Sequence, residues 1–195
     1  MTDLVHSRAI DDVWDILIEV YAEVRADQLH IPHYSVERYA ERLARHGKEF
    51  GWEAVVAYED GTPVGYGYVN SLVPVEDRWW KRTTPAPEET LTGLPTVAIK
   101  EMMVTQPYRR QGIARKIHDA LLSEREEVNA SLMVSPANQD GRVQALYASW
   151  GYEAIGRSQS TPDAPPLTVM IRPVGAHEQV RAQRAAVDSA EATEC

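Results

Sequence analysis

The stretch that most constrains the fold runs from Val97 to Leu121. An apolar segment, 97–104, leads into the basic turn Gln106-Pro107-Tyr108-Arg109-Arg110-Gln111-Gly112, and apolar residues then recur at helical spacing. This order predicts a strand, a tight loop and the first turn of a helix. Such a unit belongs to an α/β domain, with the loop at the end of a sheet strand.

The basic loop has the features of an anion site. The first N–H groups of a helix have no partner within the helix, and they point outward at its positive end. Gly112 lets the backbone approach an anion without a Cβ in between, and Arg109 and Arg110 add forked donors. No Gly-Lys-Ser/Thr follows and no second glycine is present, which excludes a Walker A loop and the dinucleotide fingerprint. The alternative is a solvated basic helix start without a ligand.

Charge separates this loop from the rest of the chain. The 195 residues carry a formal net charge of -9, which excludes general nucleic-acid binding. A basic loop on an acidic protein suits a small anionic ligand, and the acidic surface would attract cationic partners such as polyamines or amino-sugars.

Length and termini predict one cytoplasmic domain. A chain of this length fits a single α/β domain, here 1–174, followed by a tail at 175–195 that is loosely helical or disordered. No apolar run approaches the roughly 20 residues of a membrane span, and the N-terminus lacks the pattern of a secretory signal. We expect no metal site at His30 and His33, because no acidic or cysteine ligands lie at suitable spacing.

Periodicity predicts the remaining elements. An Asp60-Gly61 hairpin turn joins two strands, Ser35 and Asp140 are predicted N-caps, and 73–95 is predicted to be irregular. The predicted helices are 10–25, 35–46, 112–127 and 140–149, and the predicted strands are 53–59, 63–72, 97–104, 131–135, 152–157 and 167–172.

Two motifs carry a family resemblance. The loop Arg109-Arg110-Gln111-Gly112-Ile113-Ala114 resembles the Gln/Arg-x-x-Gly-x-Gly/Ala loop of the GNAT superfamily, the acyl-CoA-dependent N-acyltransferases. Further along, Tyr147 followed by Gly151-Tyr152 resembles the second GNAT motif. The chain departs from the family pattern where an Asn is expected, since Asp140 stands there and Asn138 lies two residues earlier. The resemblance covers roughly 53–172.

The resemblance implies an α/β (α+β) fold. It consists of a central mixed, mostly antiparallel sheet with a splayed parallel strand pair, 97–104 and 131–135, flanked by helices. It also implies transfer of an acetyl group from acetyl-CoA to a primary amine of a small molecule, by direct attack in a ternary complex. No metal cofactor, nucleic acid or membrane is implied, and a homodimer is possible.

The same resemblance assigns the cofactor-binding residues. The backbone of Met103 and Val104 would bind the pantetheine arm. Asn138 or Asp140 would make a further cofactor contact. The pyrophosphate would be held by Arg109, Arg110, Gln111, Gly112, Ile113 and Ala114.

Two residues are candidates for proton transfer. Tyr147 would stabilise the departing thiolate, the alternative being a packed helix residue. Glu101 shares a strand face with Ile99 and Met103, so desolvation would raise its pKa toward that of a general base. The alternatives are a salt-bridged structural glutamate and a water chain in place of one base. For the whole chain, the alternatives are a protein or peptide acetyltransferase and a non-catalytic module that binds acyl-CoA.

Overall fold

In the computed structural model, which describes residues 1–159 and 165–174, a tight turn at Asp60 and Gly61 joins strands β2 (Glu53–Glu59) and β3 (Thr62–Leu72). Both turn residues have positive φ, 50° and 78°, as the hairpin turn type requires. Strand β1 (Asp3–Ser7) pairs antiparallel with β2, and β5 (Thr96–Val104) lies beside β3. The predicted hairpin is therefore confirmed.

These strands belong to the first of two compact units, which comprises Met1–Ser71 and Ala98–Glu124. One face of its sheet carries helices α1 (Trp14–Val24) and α2 (Val36–His46). The predicted N-cap of α2 is confirmed, since the Ser35 hydroxyl accepts a hydrogen bond from the Arg38 N–H. The core on this face consists of apolar and tyrosine side chains: Val13, Leu17, Val20, Tyr21, Tyr39, Leu43, Trp52, Ala54, Val56, Tyr66, Tyr68 and Met103.

On the other face of β3, Gly65 and Gly67 allow helix α5 (Ile113–Ser123) to pack closely. A Cβ on Gly67 would lie 2.8 Å from Leu121 Cδ1, and one on Gly65 would lie 2.7 Å from the Met103 carbonyl oxygen. Tyr66 and Tyr68 alternate with these glycines and face the opposite core. The alternation of tyrosine and glycine along β3 thus determines how closely α5 packs on the sheet.

The second unit comprises the rest of the described chain. Its strands are β6 (Asn129–Val134), β8 (Leu167–Pro173), β7 (Glu153–Ser158) and β4 (Thr83–Thr84), antiparallel to their neighbours in that order. Helix α6 (Arg142–Ser149) also belongs to this unit.

Residues 73–95 are more regular than predicted. They contain the short helices α3 (Arg78–Lys81) and α4 (Glu89–Thr92) as well as β4. The Asp77 side chain caps α3, and Trp80 is buried while the Trp79 indole donates to the Ser131 hydroxyl at 3.0 Å. Elements of four and two residues are too short to leave a periodic pattern in the sequence.

Two helix boundaries also differ from the predictions. Helix α5 ends at Ser123 rather than at 127. Helix α6 begins at Arg142, so the predicted N-cap at Asp140 is wrong. Asp140 instead lies in a left-handed turn with φ 55°, and Gly141 at φ 81° occupies the N-cap position without a side-chain bond. The predicted tail, 175–195, lies outside the described residues.

Candidate active site

The predicted basic loop connects β5 to α5 in the first unit. Thr105 N–H donates to the Val64 carbonyl at 2.9 Å, which ties the start of the loop to β3. After a 3-10 turn at Gln106–Tyr108, Arg110 and Gly112 adopt left-handed conformations with φ 62° and 80°. Gly112 takes this conformation without strain, whereas a side chain at Arg110 carries a modest cost. The two left-handed residues turn the chain sharply into the helix.

The loop presents a run of unpaired backbone donors. Within the described part of the chain, the N–H groups from Arg110 to Ala114 have no hydrogen-bond acceptor, and an α-helical bond is already present from Lys116 N–H to the Gly112 carbonyl at 3.0 Å. A Cβ added at Gly112 would have no other atom within 4 Å, so the space in front of the residue is open. Converging amide donors at the positive end of a helix, with nothing in front of them, are suited to bind phosphate oxygens.

The loop's long side chains mainly brace the loop itself. Arg109 Nε donates to the Val104 carbonyl at 2.9 Å, and Gln111 Nε2 donates to the Pro107 carbonyl at 3.0 Å. Lys116 Nζ donates to the Thr2 hydroxyl at 2.9 Å, while Arg115 pairs with Asp119 at 2.7 Å on the helix surface. Arg109 and Gln111 therefore hold the loop in shape, and the amides form its outward surface.

A cavity of about 670 Å³ lies beside the loop. Gln106, Pro107 and Arg109 form one side, and residues from the end of α1 and the turn after it form the other. Glu23 and Asp27 bring two exposed carboxylates to that second side. The lining of the cavity thus contains two carboxylates and the Arg109 guanidinium.

Glu101 lies on β5 among tyrosines of the α1 and α2 face. We call Glu101, Arg42, Tyr21, Tyr39, Tyr66 and Tyr68 the Glu101 cluster. The Glu101 side chain is 19% exposed, and its Oε2 is 3.7 Å from Arg42 Nη2. The Tyr39 and Tyr66 hydroxyls are 2.7 Å apart, and both rings are fully buried. The cluster is therefore a largely buried group of polar side chains drawn from two helices and two strands.

Burial changes the ionisation of the cluster. Burial raises the pKa of Glu101, although the charges of Arg42 and Arg25 oppose the rise. Burial also raises the pKa values of Tyr39, Tyr66 and Tyr68, so these phenols stay protonated at neutral pH. The predicted rise in the pKa of Glu101 is therefore found. The ion pair expected for the alternative, a salt-bridged structural glutamate, is found as well.

Tyr147 lies on α6 in the second unit. Its ring is partly exposed and packs edge-on against Trp150 and Tyr152, with ring centroids 5.4 and 5.8 Å away. Gly151 has φ 87°, which turns the chain back so that the Tyr152 N–H donates to the Tyr147 carbonyl. The second motif is therefore a helix C-terminus with glycine in its usual left-handed position.

Asn138 is exposed in the turn before α6. Its N–H donates to the Ser135 carbonyl at 3.0 Å, and its own carbonyl accepts from the Gly141 N–H at 3.2 Å. Gln139, Asp140 and Gly141 all have positive φ. The turn is thus defined by its backbone, and the Asn138 side chain lies on the surface.

Sequence reasoning missed the surroundings of Glu101. The sequence analysis gave no role to Arg42 or to the four tyrosines. One signal was present, because Tyr39 and Arg42 are three residues apart and so share a face of α2. Their convergence on β5 depends on the packing of α2 against the sheet, which periodicity does not specify.

Two further observations concern the described residues, 1–159 and 165–174. They contain no helix long and apolar enough to cross a membrane. They also contain no group of three or more His, Cys, Asp or Glu side chains placed to hold a metal ion.

Solved structures with a similar fold cover most of the chain. An acetyltransferase of the GNAT family from Staphylococcus aureus Mu50 is 15% identical, with 90% of this chain and 100% of that chain covered at a TM-score of 0.56. The aminoglycoside 6'-acetyltransferase type Ii is 13% identical, with 89% and 96% covered at 0.59. The ribosomal-protein-S18-alanine N-acetyltransferase from Escherichia coli is 16% identical, with 90% and 95% covered at 0.58. At these identities the similarity shows the fold, and it confirms the predicted fold class.

The family itself is shown by a sequence comparison. A search of the curated proteins gives no match. The model of the acetyltransferase (GNAT) family matches residues 11–152, which include both predicted motifs. The chain therefore belongs to the GNAT family of acetyltransferases, and it is an acyltransferase.

Proposed function

We propose that the protein transfers an acetyl group from acetyl-CoA to a primary amine of a small cationic molecule, by direct attack in a ternary complex. The observation that carries the proposal is the open run of amide donors from Arg110 to Ala114. These donors fit a pyrophosphate, which is the anionic centre of the family's usual co-substrate.

The cofactor site is proposed from the loop outward. The N–H groups of Gln111, Gly112, Ile113 and Ala114 hold the pyrophosphate, with Arg110 adding charge from the exposed side. Arg109 braces the loop through the Val104 carbonyl. The backbone of Met103 and Val104 binds the pantetheine arm, and Asn138 makes the additional contact. When bound, acetyl-CoA supplies the activated thioester.

Two side chains are proposed to move or stabilise protons. Glu101 accepts a proton from the acceptor ammonium, because a buried carboxylate with a raised pKa is a stronger base than an exposed one. Tyr147 donates a hydrogen bond to the departing thiolate. A phenol with a free pKa near 10 does not fully protonate a thiolate whose thiol has a pKa near 8.5, so its part is stabilisation.

The acidic surface of α1 supports a cationic acceptor. Asp15, Glu19 and Glu23 are exposed at four-residue spacing along one face of the helix, and Asp27 follows at the same interval. Among the described residues, none of these carboxylates forms an ion pair, and the last two line the cavity beside the loop. A row of uncompensated negative charge raises the local concentration of polyamines and amino-sugars.

The decisive experiment is thiol release from acetyl-CoA with polyamines, aminoglycosides, amino acids and peptides as acceptors. We expect release with polycationic amines, and rates that fall steeply with ionic strength. Release with peptides alone would replace the small-molecule proposal with a protein or peptide acetyltransferase. Acetyl-CoA binding without release across the panel would indicate a non-catalytic module.

Tyr147 is tested by Tyr147→Phe, which keeps the ring and removes the hydroxyl. We expect turnover to fall by roughly tenfold to a hundredfold while acetyl-CoA affinity changes less, because the lost hydrogen bond acts only as the thiolate forms. Steady-state kinetics and calorimetric titration measure the two quantities. Wild-type turnover in the variant would remove Tyr147 from the mechanism.

Three features stay predictions. They are the single domain at 1–174, the cytoplasmic location and a homodimer. Sedimentation velocity of the purified protein tests the last of these.

A further inference from the structure

Glu101 accepts a proton only while its carboxylate is charged, a requirement that rests on the proposed function. A mostly buried carboxylate is stabilised in its neutral form by desolvation, and a neutral carboxyl group is not a base. The cluster must therefore supply a compensating charge if Glu101 acts at neutral pH. The groups that face Glu101 come from α1, the turn after it, α2 and β3.

Arg42 is the charge closest to that carboxylate. Its Nη2 is 3.7 Å from Glu101 Oε2, and no other cation of the described residues is within ion-pair distance of Glu101. The Arg42 guanidinium carbon lies 5.3 Å from the centroid of the Tyr39 ring. The charge of Arg42 also acts on the Tyr21 hydroxyl, where it opposes the rise in pKa that burial causes. Glu101, Tyr39 and Tyr21 thus restrict the position of the Arg42 guanidinium.

The Tyr21 hydroxyl beside Arg42 is held by its own contacts. It donates to the Tyr34 carbonyl, 3.0 Å away, so its oxygen lone pairs remain available to a donor. The Tyr21 ring stacks on Tyr39 at 3.8 Å with an interplanar angle of 1°. The support of Arg42 is therefore itself held by a carbonyl and an aromatic stack.

Other titratable groups near Glu101 do not replace Arg42. Arg25 is engaged with the Gln28 side chain at 2.7 Å and lies 4.6 Å from the Tyr34 ring centroid. Burial lowers the pKa of His33, and burial with Lys100, Arg45 and Arg42 lowers that of His46 to about 3, so both are neutral at pH 7. Lys100 pairs with Glu49 at 3.2 Å. The facing phenols, Tyr21, Tyr39, Tyr66 and Tyr68, have raised pKa values and are neutral.

We propose that Arg42 is the positioning residue for Glu101, holding its carboxylate ionised and oriented for proton transfer. In the reaction, the acceptor ammonium gives its proton to the Glu101 carboxylate. The amine nitrogen lone pair then forms the new C–N bond, and the C–S bond of the thioester breaks with its electron pair leaving on sulfur. The nitrogen loses its second proton as the amide forms, and the thiolate takes up one proton to become the thiol. Arg42 touches none of the reacting atoms.

Arg42→Gln tests the proposal through its pH dependence. Removing the guanidinium raises the pKa of Glu101 further, so the base stays protonated to a higher pH. The acid limb of the kcat/KM profile should then move to higher pH by about one unit or more. At a pH below the limb, kcat/KM of the variant should be about tenfold lower than that of the wild-type protein, and above the limb the two should be equal. Arg42→Lys keeps the charge and should restore most of the wild-type profile.

Two further variants keep the result interpretable. Arg38→Gln is the matched control, since Arg38 lies on the same helix, is 66% exposed and pairs with Glu41. It changes the net charge equally and should leave the profile in place. Tyr21→Phe removes only the hydroxyl on which the charge of Arg42 acts, and it should move the limb in the same direction by less. It provides the test if Arg42→Gln does not fold.

The proposal is overturned by an equal loss at every pH in Arg42→Gln, or by an equal loss when Arg42→Gln is introduced into Glu101→Gln. A titration of the Glu101 carboxyl carbon by ¹³C NMR, identified by its absence in Glu101→Gln, gives a readout that needs no turnover. An upward displacement in Arg42→Gln supports the proposal, and an unchanged titration refutes it. If the wild-type protein acetylates no amine, the proposed function fails and the NMR titration alone decides the role of Arg42.

Discussion

The loop before α5 and the Glu101 cluster lie on the same strand of the first unit, and they are built in opposite ways. The loop is exposed and offers backbone amides, with its long side chains turned back onto its own carbonyls. The cluster is mostly buried and offers side chains, with paired hydroxyls and an ion pair at its centre. Strand β5 ends in the loop and carries Glu101 of the cluster.

This difference determines what each region tolerates. A site made of amides depends on the sign of φ at a few residues, so most side chains in it are replaceable. A buried polar cluster depends on every partner, because each unpaired group then carries its full desolvation cost. We therefore expect the loop to be sensitive to changes in backbone conformation, and the cluster to be sensitive to the removal of single side-chain atoms.

The largest expected effect comes from Gly112→Glu. Gly112 has φ 80° and an open Cβ direction, so the new side chain meets no neighbouring atom, although it strains the left-handed backbone. It places a negative charge among the anion-binding amides. Repulsion of about 3 kcal/mol corresponds to roughly a hundredfold loss of acetyl-CoA affinity, measured by calorimetry.

The matched control is Gly61→Glu. Gly61 has φ 78° and likewise no atom within 4 Å of a Cβ, but it lies in the β2–β3 turn. It introduces the same charge and the same backbone strain outside the loop. Equal affinity losses in the two variants would mean that the loop does not bind the anion.

The same contrast explains what the sequence could predict. The loop was predicted because its chemistry is local, and a strand, a glycine and a helix start lie within a short stretch of chain. The hairpin at Asp60-Gly61 and the Ser35 cap were predictable for the same reason. The family assignment drew on this local information as well.

The Glu101 cluster was only partly predictable because its members are distant in sequence. Strand alternation placed Glu101 on the buried face, and desolvation indicated the direction of its pKa. Neither rule indicates that Arg42, some sixty residues earlier, supplies the opposite charge. Asp140 shows another limit, since its residue type favours an N-cap while its left-handed backbone places Gly141 there instead.

Gly65→Ala should damage both regions together, because Gly65 packs on the strand they share. Its Cβ would lie 2.7 Å from the Met103 carbonyl oxygen, a backbone atom that moves only with β5. We expect a loss of about 1–3 kcal/mol in the free energy of unfolding, measured by urea denaturation, together with weaker acetyl-CoA binding.

Gly67→Ala provides the comparison on the same face of β3. Its closest neighbours are the side-chain ends Leu121 Cδ1 at 2.8 Å and Ile117 Cγ2 at 3.0 Å, which can rotate away. The loss of stability should therefore be smaller than for Gly65→Ala. The reverse order would show that α5, rather than β5, determines the spacing at this face.

The smallest effect tests the buried character of the cluster through pH. The Nδ1 atom of His46 lies 3.1 Å from the Tyr68 hydroxyl, and burial with nearby cations lowers its pKa to about 3 from the usual 6.5. Between these values the unfolded chain binds more protons than the folded one, so stability falls as the pH falls, by up to about 1.4 kcal/mol per unit. The raised pKa of Glu101 acts in the opposite sense above its usual value.

His46→Gln should therefore flatten the decline in unfolding free energy between pH 6.5 and pH 5. The matched control is His30→Gln, at an exposed position in the turn after α1, which should leave the wild-type slope. Urea denaturation at pH 5, 6, 7 and 8 gives the comparison. If His46→Gln and the wild-type protein lose stability in parallel, His46 is solvated in the native state. The contrast between a buried cluster and an exposed loop would then not extend to the end of α2.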